Sequence, residues 1–511
     1  MTQPTLAYST SPPPPGLPRL LPLTALIAGI LLALFLLQLP TSQVGDWQQF
    51  AFYDPGTVLK GDMLLQKGYV PTIDFGYTHG LLSLLFARAG FALLGRSALT
   101  FWILTLLCEL GIAWGFARMV RALRLSRPAI ALLLIGLPMA VMPAYLTLTH
   151  PLEALFIVLA LAAQSEGKRG QALTLLTVCL FVKPSMAYVY GALLLVIMAG
   201  EAARNRRWRD LTRGLFGAAV MAALLLAILT AWIGLRPVEN TLLPLTGAKT
   251  YAATGFGFFN TSGLALWWKQ PWYVYIGTPV GMVLLAALTG AAGALYAIGR
   301  NLTARRPIAR PATWEILATV GLLQTAFLLG FYGWTGSWTY YSYLGVWALV
   351  LAADELQARL HRRWPAITLC VLLALSHTTI LVLAFHGWMY KERPRDTGGL
   401  WVYSDLWAAW NGTLAQVGDG PTILMTNGWV PHLPANIEMP DAWFPEPGIP
   451  TGREVARVKA QIARCQNVIV WFEYRRFDLW NSPDLAPERA QFEERYKNDF
   501  FTLLSRKDSR P

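Results

Sequence analysis

Apolar runs recur along the sequence from Leu21 to His386, and most of them are about as long as a lipid bilayer is thick. A span needs about 20 apolar residues, and it must satisfy its backbone hydrogen bonds internally, which an α-helix does. Only 14% of the 511 residues are charged, whereas soluble domains carry about 25%. The sequence therefore predicts an all-α polytopic membrane bundle.

The distribution of basic residues predicts the orientation of this bundle. Eighteen Lys and Arg residues lie in five short loops between apolar runs, and these loops and their flanks hold only five acids. The loops are 118–127, 168–169, 204–213, 300–310 and 359–363. Because cytoplasmic loops carry the excess of Lys and Arg, we place all five inside. The net charge of +13 is then a topology signal and does not indicate nucleic-acid binding.

With these loops inside, the chain accommodates about 11 helices. Single spans are predicted near 21–40, 99–120, 128–147, 151–165, 213–234, 272–298, 313–332, 339–355 and 366–386. The stretch 170–200 must leave the inner side and return, so we predict two short helices that meet at Lys183-Pro184, where Pro disfavours a continuous helix. The first run has the length of a signal peptide, but only Arg19 precedes it and no small-residue cleavage site precedes Gln43. We interpret it as a retained helix.

The rest of the chain divides around these spans. Residues 1–19 are rich in Pro and Ser and are predicted to be a disordered cytoplasmic tail. Residues 20–386 form the transmembrane domain, and 41–98 is its large outer loop. Within this loop, 79–95 is apolar but short and is interrupted by Arg88. We therefore predict a re-entrant or amphipathic helix that lies on the outer interface.

Residues 387–511 are near neutral and are predicted to form a small periplasmic α/β domain. Two runs are typical of strands, 422–425 and 468–472, and two have the periodicity of helices, 454–465 and 487–496. The segment 428–450 is rich in Pro and aromatic residues. We expect it to contact the outer loop, with a plain connector as the alternative.

The outer loop 41–98 carries a patterned set of polar residues. It begins with Asp46 and then reads Tyr-Asp-Pro-Gly, with Asp54 at the second position. A Gly-Tyr-Val-Pro segment follows, and then Asp74-Phe75 and His79-Gly80. Asp-Pro and Pro-Gly are turn dipeptides, so a turn alone accounts for part of the pattern. The concentration of carboxylates next to apolar helices favours a catalytic site.

An early Asp after the first helix, then G-x-x-P, then D-F and H-G pairs, resembles the GT-C superfamily of integral membrane glycosyltransferases, which use polyprenyl-phosphate-linked sugars. The resemblance covers the loop motif closely and roughly the first 200 residues by topology. It implies an inverting hexosyl- or pentosyltransferase in the bacterial inner membrane. The donor would be a polyprenyl-phosphate sugar and the acceptor a lipid, glycan or protein on the outer face, with no nucleic-acid partner.

The resemblance also implies which residue is the catalytic base. An inverting transfer needs a carboxylate that takes the proton from the acceptor hydroxyl as it attacks the anomeric carbon, and Asp54 is the candidate. In the family the first-loop Asp is often followed by a second acid, but here Pro55 follows, so Asp46 stays open as an alternative. Cationic side chains or a divalent cation such as Mg²⁺ or Mn²⁺ would neutralise the leaving phosphate. Asp74 would bind a metal or sugar hydroxyls, or cap the interfacial helix.

Three further residues are candidates for substrate binding because they are polar in an apolar setting. Lys183 would face the lipid phosphate, as a basic residue often does in the family, or form a buried ion pair with Glu109 or Glu153. His150 and Glu153 open a helix at the outer face and would line the pocket, although a His at a helix start is often a solvated cap.

Aromatic residues and a His complete the candidate set. His79, in the loop motif, would contact substrate. Trp334, Trp338 and Tyr340 would stack on sugar rings or on the prenyl chain. The alternative is an interfacial belt, which Trp and Tyr form in ordinary membrane proteins.

Two functions of other classes stay open. A lipid or solute transporter or flippase of the cell envelope would be favoured by inverted repeats, and none is evident in the sequence. A non-enzymatic envelope-assembly scaffold would be favoured by a mobile outer loop with dispersed carboxylates. Nucleotide-driven transport is unsupported, because Walker A and GxGxxG patterns are missing in any useful context.

The arginine distribution predicts the side of the membrane on which the C-terminal domain lies. A reporter that works only in the periplasm should be active when fused at Ser509, because the chain after His386 is predicted to be periplasmic. A reporter that works only in the cytoplasm, fused at the same residue, is the matched control and should be silent. Activity of the cytoplasmic reporter alone would reject this topology.

Overall fold

A computed structural model describes most of the membrane domain and most of the C-terminal domain. The described residues are 20–37, 39, 54–77, 79–141, 147–206, 208–242, 285–296, 311–330, 338–373, 403–426, 428–430, 432–442, 451–471 and 479–507. The predicted tail 1–19 and most of the predicted spans 272–298 and 366–386 lie outside these residues.

The described part of the membrane domain is helical. The described helices are α1 Leu20–Leu36, α2 Asp54–Gln66, α3 Leu81–Leu94, α4 Ala98–Leu123, α5 Arg127–Gly136, α6 Thr149–Ser165, α7 Arg169–Val182, α8 Pro184–Asn205, α9 Trp208–Ile233, α10 Leu235–Leu242, α11 Leu285–Tyr296, α12 Pro311–Gly330, α13 Trp338–Leu360 and α14 Trp364–Leu373. Within the described ranges, α4, α8 and α9 are long and apolar enough to cross a membrane. The predicted count of about 11 spans stays a prediction.

Most of the described helices of the membrane domain pack around a large apolar core. Helix α4 lies against α1, α3 and α6, and α7 lies against α6, α8 and α9. Ile27, Phe116 and Trp347 are fully buried in this core. On α9, large apolar side chains such as Phe216 and Leu224 are exposed instead. Such a surface suits contact with lipid, since a helix satisfies its backbone hydrogen bonds internally.

A break between α7 and α8 confirms the corner predicted at Lys183-Pro184. Lys183 has an extended backbone (φ −158°, ψ 108°) and caps α7 through its N–H, which donates to the Cys179 carbonyl at 2.8 Å. Pro184 is the first residue of α8, the position at which a missing N–H costs nothing. The prediction that both helices are short is wrong for α8, which has 22 residues and continues past Gly200.

Helix α3 confirms that the run 79–95 is helical, and the structure accounts for the arginine within it. Arg88 Nη1 lies 3.0 Å from Asp62 Oδ1, and Arg96 Nε lies 2.8 Å from Asp62 Oδ2. Asp62, on α2, is completely buried. These ion pairs tie α2 to α3 and to the turn that follows α3, and Asp62 offsets the charge of Arg88 inside the outer loop. The location of α3 at the membrane interface stays a prediction.

The C-terminal domain is α/β, as predicted. Its strands are β1 Thr422–Met425, β2 Ile437–Glu438, β3 Asn467–Trp471, β4 Phe492–Lys497 and β5 Phe501–Arg506, in the order β2-β1-β3-β5-β4. Strand β1 is parallel to β2 and β3, and β5 is antiparallel to β3 and β4. Its α-helices are α15 Tyr403–Leu414, α16 Gly452–Arg464 and α17 Ala486–Arg489. Thr451 and Glu454 form a capping box at the start of α16.

One predicted element of this domain is wrong. Instead of a helix over 487–496, α17 ends at Arg489 and the chain continues as strand β4. Phe492 is buried and faces the core, whereas the charged residues that follow it are mostly solvent-accessible. Pairing with β5 decides the conformation, because strand preference depends on the partner strand more than on intrinsic propensity.

The C-terminal domain is docked on the outer loop of the membrane domain. The Trp429 N–H donates to the Gly56 carbonyl at 3.1 Å, and Lys67 Nζ lies 2.5 Å from Asp441 Oδ1. The Gly76 N–H donates to Glu454 Oε2 at 3.0 Å. The expected contact between segment 428–450 and the outer loop is thus present in the described part of that segment.

Candidate active site

The break between α7 and α8 places Lys183 in a cluster of buried polar side chains. Its ammonium nitrogen lies 3.1 Å from His150 Nδ1 and 3.2 Å from the Tyr341 hydroxyl. Glu153 Oε2 lies 3.4 Å from the same nitrogen and accepts a 2.7 Å hydrogen bond from the Tyr341 hydroxyl. His150, Glu153 and Tyr341 are buried, whereas the Lys183 side chain keeps 17% of its exposure. We call these four residues the Lys183 cluster.

The Lys183 contact determines the protonation of His150. An ammonium group has only donors, so Nδ1 of His150 must accept this hydrogen bond. The ring is therefore neutral and carries its proton on Nε2. His150 thus contributes a donor and no charge, and its side chain is 7% exposed, which rejects the solvated-cap interpretation.

Glu153 offsets the charge of Lys183. A buried ion without a partner would cost several kcal/mol, so an ion pair is expected where an ammonium enters an apolar bundle. Of the two carboxylates considered from the sequence, Glu153 lies at ion-pair distance. The ion-pair interpretation of Lys183 is thus confirmed. It is compatible with a phosphate role, because the Lys183 side chain retains 17% exposure.

His79 lies beside the Lys183 cluster. Its ring meets that of His150 edge-on with centroids 6.3 Å apart, and that of Tyr77 with centroids 5.9 Å apart. Burial and the nearby positive charge of Lys183 lower the pKa of His79 to about 3. His79 is therefore neutral at physiological pH, so it can act there as a hydrogen-bonding group and not as a cation.

Gly80 lets the outer loop approach the helix break. Its N–H donates to the Val182 carbonyl at 2.9 Å. A Cβ at this position would lie 2.2 Å from the Phe181 carbonyl oxygen, which is backbone and cannot rotate away. Only glycine fits, so the His-Gly motif is explained by this contact, which places His79 beside Lys183.

Tyr341 is a site residue that the sequence does not distinguish from its aromatic neighbours. Its backbone is non-helical within α13 (φ −131°, ψ 18°), and this kink accompanies the contact of its hydroxyl with Glu153. Trp334 lies outside the described residues. The backbones of Trp338 and Tyr340 begin α13, and their side chains are not described.

Asp74 lies at the contact with the C-terminal domain. Its carboxylate accepts hydrogen bonds of 2.8 Å from the Val70 N–H and from Arg453 Nη1. Burial raises its pKa, but the hydrogen bonds from Arg453 and Val70 outweigh burial and hold the pKa of Asp74 below its ordinary value. The capping interpretation is wrong, because α3 begins after Gly80 without a side-chain cap.

The two candidate bases are described only in part. Asp54 is the first residue of α2, and its side chain lies outside the description. Asp46 lies outside the described residues. The first turn of α2 is held by the hydrogen bond between Gly56 and Trp429. The choice between the two bases stays a prediction.

The divalent cation stays a prediction, because Asp46 and the Asp54 side chain lie outside the described residues. Across the residues that the structure describes, no three His, Cys, Asp or Glu side chains group as a metal site. Glu153 is the carboxylate of the Lys183 cluster, and its Oε2 pairs with the ammonium of Lys183.

Comparison with solved structures identifies the fold. The crystal structure of ArnT from Cupriavidus metallidurans bound to undecaprenyl phosphate matches with a TM-score of 0.51 at 13% identity, over 95% of this chain and 98% of that chain. ArnT from the same organism in the apo state gives a TM-score of 0.35 at 12% identity, over 94% and 97%. No protein-family model and no curated protein matches the chain. The first likeness shows that the chain has an ArnT-like fold.

The Gly80 contact generates a stability prediction. Gly80→Ala should destabilise the protein by about 1–3 kcal/mol or more, because overpacking against backbone atoms has few ways to relax. The measurement is the thermal unfolding midpoint of the purified protein in detergent. Gly191→Ala in α8 is the matched control, since a Cβ there meets nothing within 4 Å. Equal midpoints for the two variants would contradict the close approach.

Proposed function

We propose that this protein is an inverting membrane glycosyltransferase that moves a sugar from a polyprenyl phosphate to an acceptor. The observation that carries the proposal is the Lys183 cluster at a helix break. It lies in a fold shared with a structure that holds undecaprenyl phosphate. The proposed setting is the outer face of a bacterial inner membrane, with a lipid, glycan or protein as acceptor and a hexose or pentose as the transferred sugar.

The Lys183 cluster has the chemistry of a phosphate site. Lys183 supplies an ammonium, Tyr341 a hydroxyl and His150 a ring N–H within one small volume. Charge-assisted hydrogen bonds to phosphate oxygens are roughly twice as strong as neutral ones. Glu153 compensates Lys183 when no phosphate is bound. Binding of the lipid would then turn a donor of Lys183 from its present partners to the phosphate, while Tyr341 would give its single O–H either to Glu153 or to the phosphate.

The transfer step uses a carboxylate and a cation. The acceptor hydroxyl attacks the anomeric carbon while Asp54, the proposed base, takes its proton. The new bond joins the acceptor oxygen to the sugar, and the bond between the sugar and the phosphate oxygen breaks. The lipid phosphate leaves with the negative charge, which Lys183 stabilises. Asp46 is the alternative base in this scheme.

A flippase would bind the same lipid phosphate and move it without breaking the glycosidic bond. Purified protein in nanodiscs, supplied with a radiolabelled polyprenyl-phosphate sugar and a membrane extract as the source of acceptor, separates the two functions. A glycosyltransferase converts the label into a new product and releases the unglycosylated lipid phosphate. Binding of the lipid without any product would reject the proposed reaction.

Lys183→Met tests the phosphate contact. Loss of the ammonium should weaken polyprenyl-phosphate binding by about 10- to 100-fold, since a charge-assisted hydrogen bond contributes about 1.5–3 kcal/mol. The measurement is the Kd for the lipid phosphate, together with the KM for the acceptor, which should change little. Lys168→Met is the matched control, because that lysine is exposed and pairs with Glu166, two residues before it, outside the Lys183 cluster. An unchanged Kd in a folded Lys183→Met protein would leave the ion pair as its only role.

Asp54→Asn tests the base. The substitution keeps the size of the side chain and removes its basicity, so kcat should fall by about two or more orders of magnitude while lipid-phosphate binding is retained. Asp46→Asn is the parallel variant, and a small effect is expected there. A large loss in Asp46→Asn with near-normal turnover in Asp54→Asn would move the role of the base to Asp46.

A further inference from the structure

The carboxyl ends of the parallel strands β1 and β2 face the outer loop of the membrane domain. In open α/β sheets this edge is where ligands bind. Here the edge holds a part of the same chain, because Thr426 follows β1 and contacts α2. Asp441, a short distance after β2, contacts Lys67 and Tyr69, just beyond the end of α2. The C-terminal domain thus contacts α2 through the sheet edge at which open α/β sheets usually bind ligands.

Lys60 lies at the centre of this contact. Its side chain is completely buried, and Nζ donates a 3.0 Å hydrogen bond to the Thr426 carbonyl. Among the described residues, this carbonyl is its one hydrogen-bond acceptor. Lys67, by contrast, keeps 44% exposure of its side chain while it pairs with Asp441. Lys60, on α2, is therefore embedded in the interface, whereas Lys67, in the turn after α2, lies at its rim.

Burying a lysine side chain costs more free energy than burying an apolar side chain of the same size. Transferring an amine from water to an apolar interior costs free energy that an apolar side chain of similar length would not. The hydrogen bond that it makes is directional, however, and an apolar contact is not. It fixes α2 along its axis relative to Thr426. Asp54 lies six residues before Lys60 on the same helix, or about 9 Å along the axis.

We propose that Lys60 is a positioning residue, which sets the place of Asp54 by tying α2 to the Thr426 carbonyl of the C-terminal domain. The expected effect of Lys60 on turnover rests on the proposed function, whereas its expected effect on docking rests on the interface alone. Lys60 need not touch substrate in this role. It acts through the helix that carries the base.

The protonation of Lys60 provides a readout of the docked state. Burial lowers the pKa of Lys60 to about 7, with Asp441 and Glu454 raising it and Lys67 lowering it. When the interface opens, the pKa returns to about 10.4. Between these values the open state binds one more proton than the docked state, so docking becomes more favourable as the pH rises from about 7. Below that window both states are protonated and the contribution is constant.

The docking test is hydrogen–deuterium exchange of residues 54–66 in the full-length protein, without substrate, at pH 7 and pH 9. After correction for intrinsic exchange, protection in the wild type should rise at least about fivefold over this range, since one proton gives at most tenfold per pH unit. Lys60→Met should lose this rise. Lys67→Met is the matched control and should keep it. The same pH response in Lys60→Met as in the wild type would overturn the proposal.

The positioning test compares Lys60→Met with Lys60→Gln, two side chains of similar length that differ in a hydrogen-bond donor. We expect Lys60→Met to lower kcat at least about tenfold with an unchanged Kd for the lipid phosphate, and Lys60→Gln to recover at least fivefold of that loss. Equal kcat in the two variants would overturn the positioning role. If the wild type transfers no sugar, the proposed function fails, while the exchange experiment still decides the docking role of Lys60.

Discussion

The contact between Gly80 and the backbone at Val182 is the constraint on which the arrangement of the site depends. It brings a loop from outside the bundle against a helix break, with no side chain between the two backbones. The residue that follows Val182 is Lys183, and the residue that precedes Gly80 is His79. One backbone hydrogen bond therefore joins the outer loop to the polar cluster, and an added methyl group would separate them.

The pairing of buried carboxylates with cationic side chains is a second feature on which the site depends. Asp62 is buried between Arg88 and Arg96, and Lys183 pairs with Glu153. In each pair the carboxylate is the more deeply buried partner and the cation reaches toward solvent. This arrangement suits a site for an anion, because an accessible cation can be shared with an incoming phosphate while its buried partner holds it in place.

The sequence predicted the features that follow from local chemistry. Apolar length and arginine placement indicated the helical bundle, and Lys183-Pro184 indicated the break between α7 and α8. The pairing of β4 was missed because it depends on β5 and not on the residues of β4 alone. The roles of Asp74 and Tyr341 were missed for the same reason. Their partners, Arg453 and Glu153, are 379 and 188 residues away in the chain.

The docking of the C-terminal domain also has a consequence for biosynthesis. Lys60 and its partner Thr426 are 366 residues apart in the chain. At about 5–20 residues per second, ribosomes need roughly 20–70 seconds to make the intervening chain. The first outer loop therefore emerges long before its docking surface exists. A nascent chain cannot complete this contact while its later helices are still being inserted, so the loop reaches its final arrangement as one of the last events of assembly.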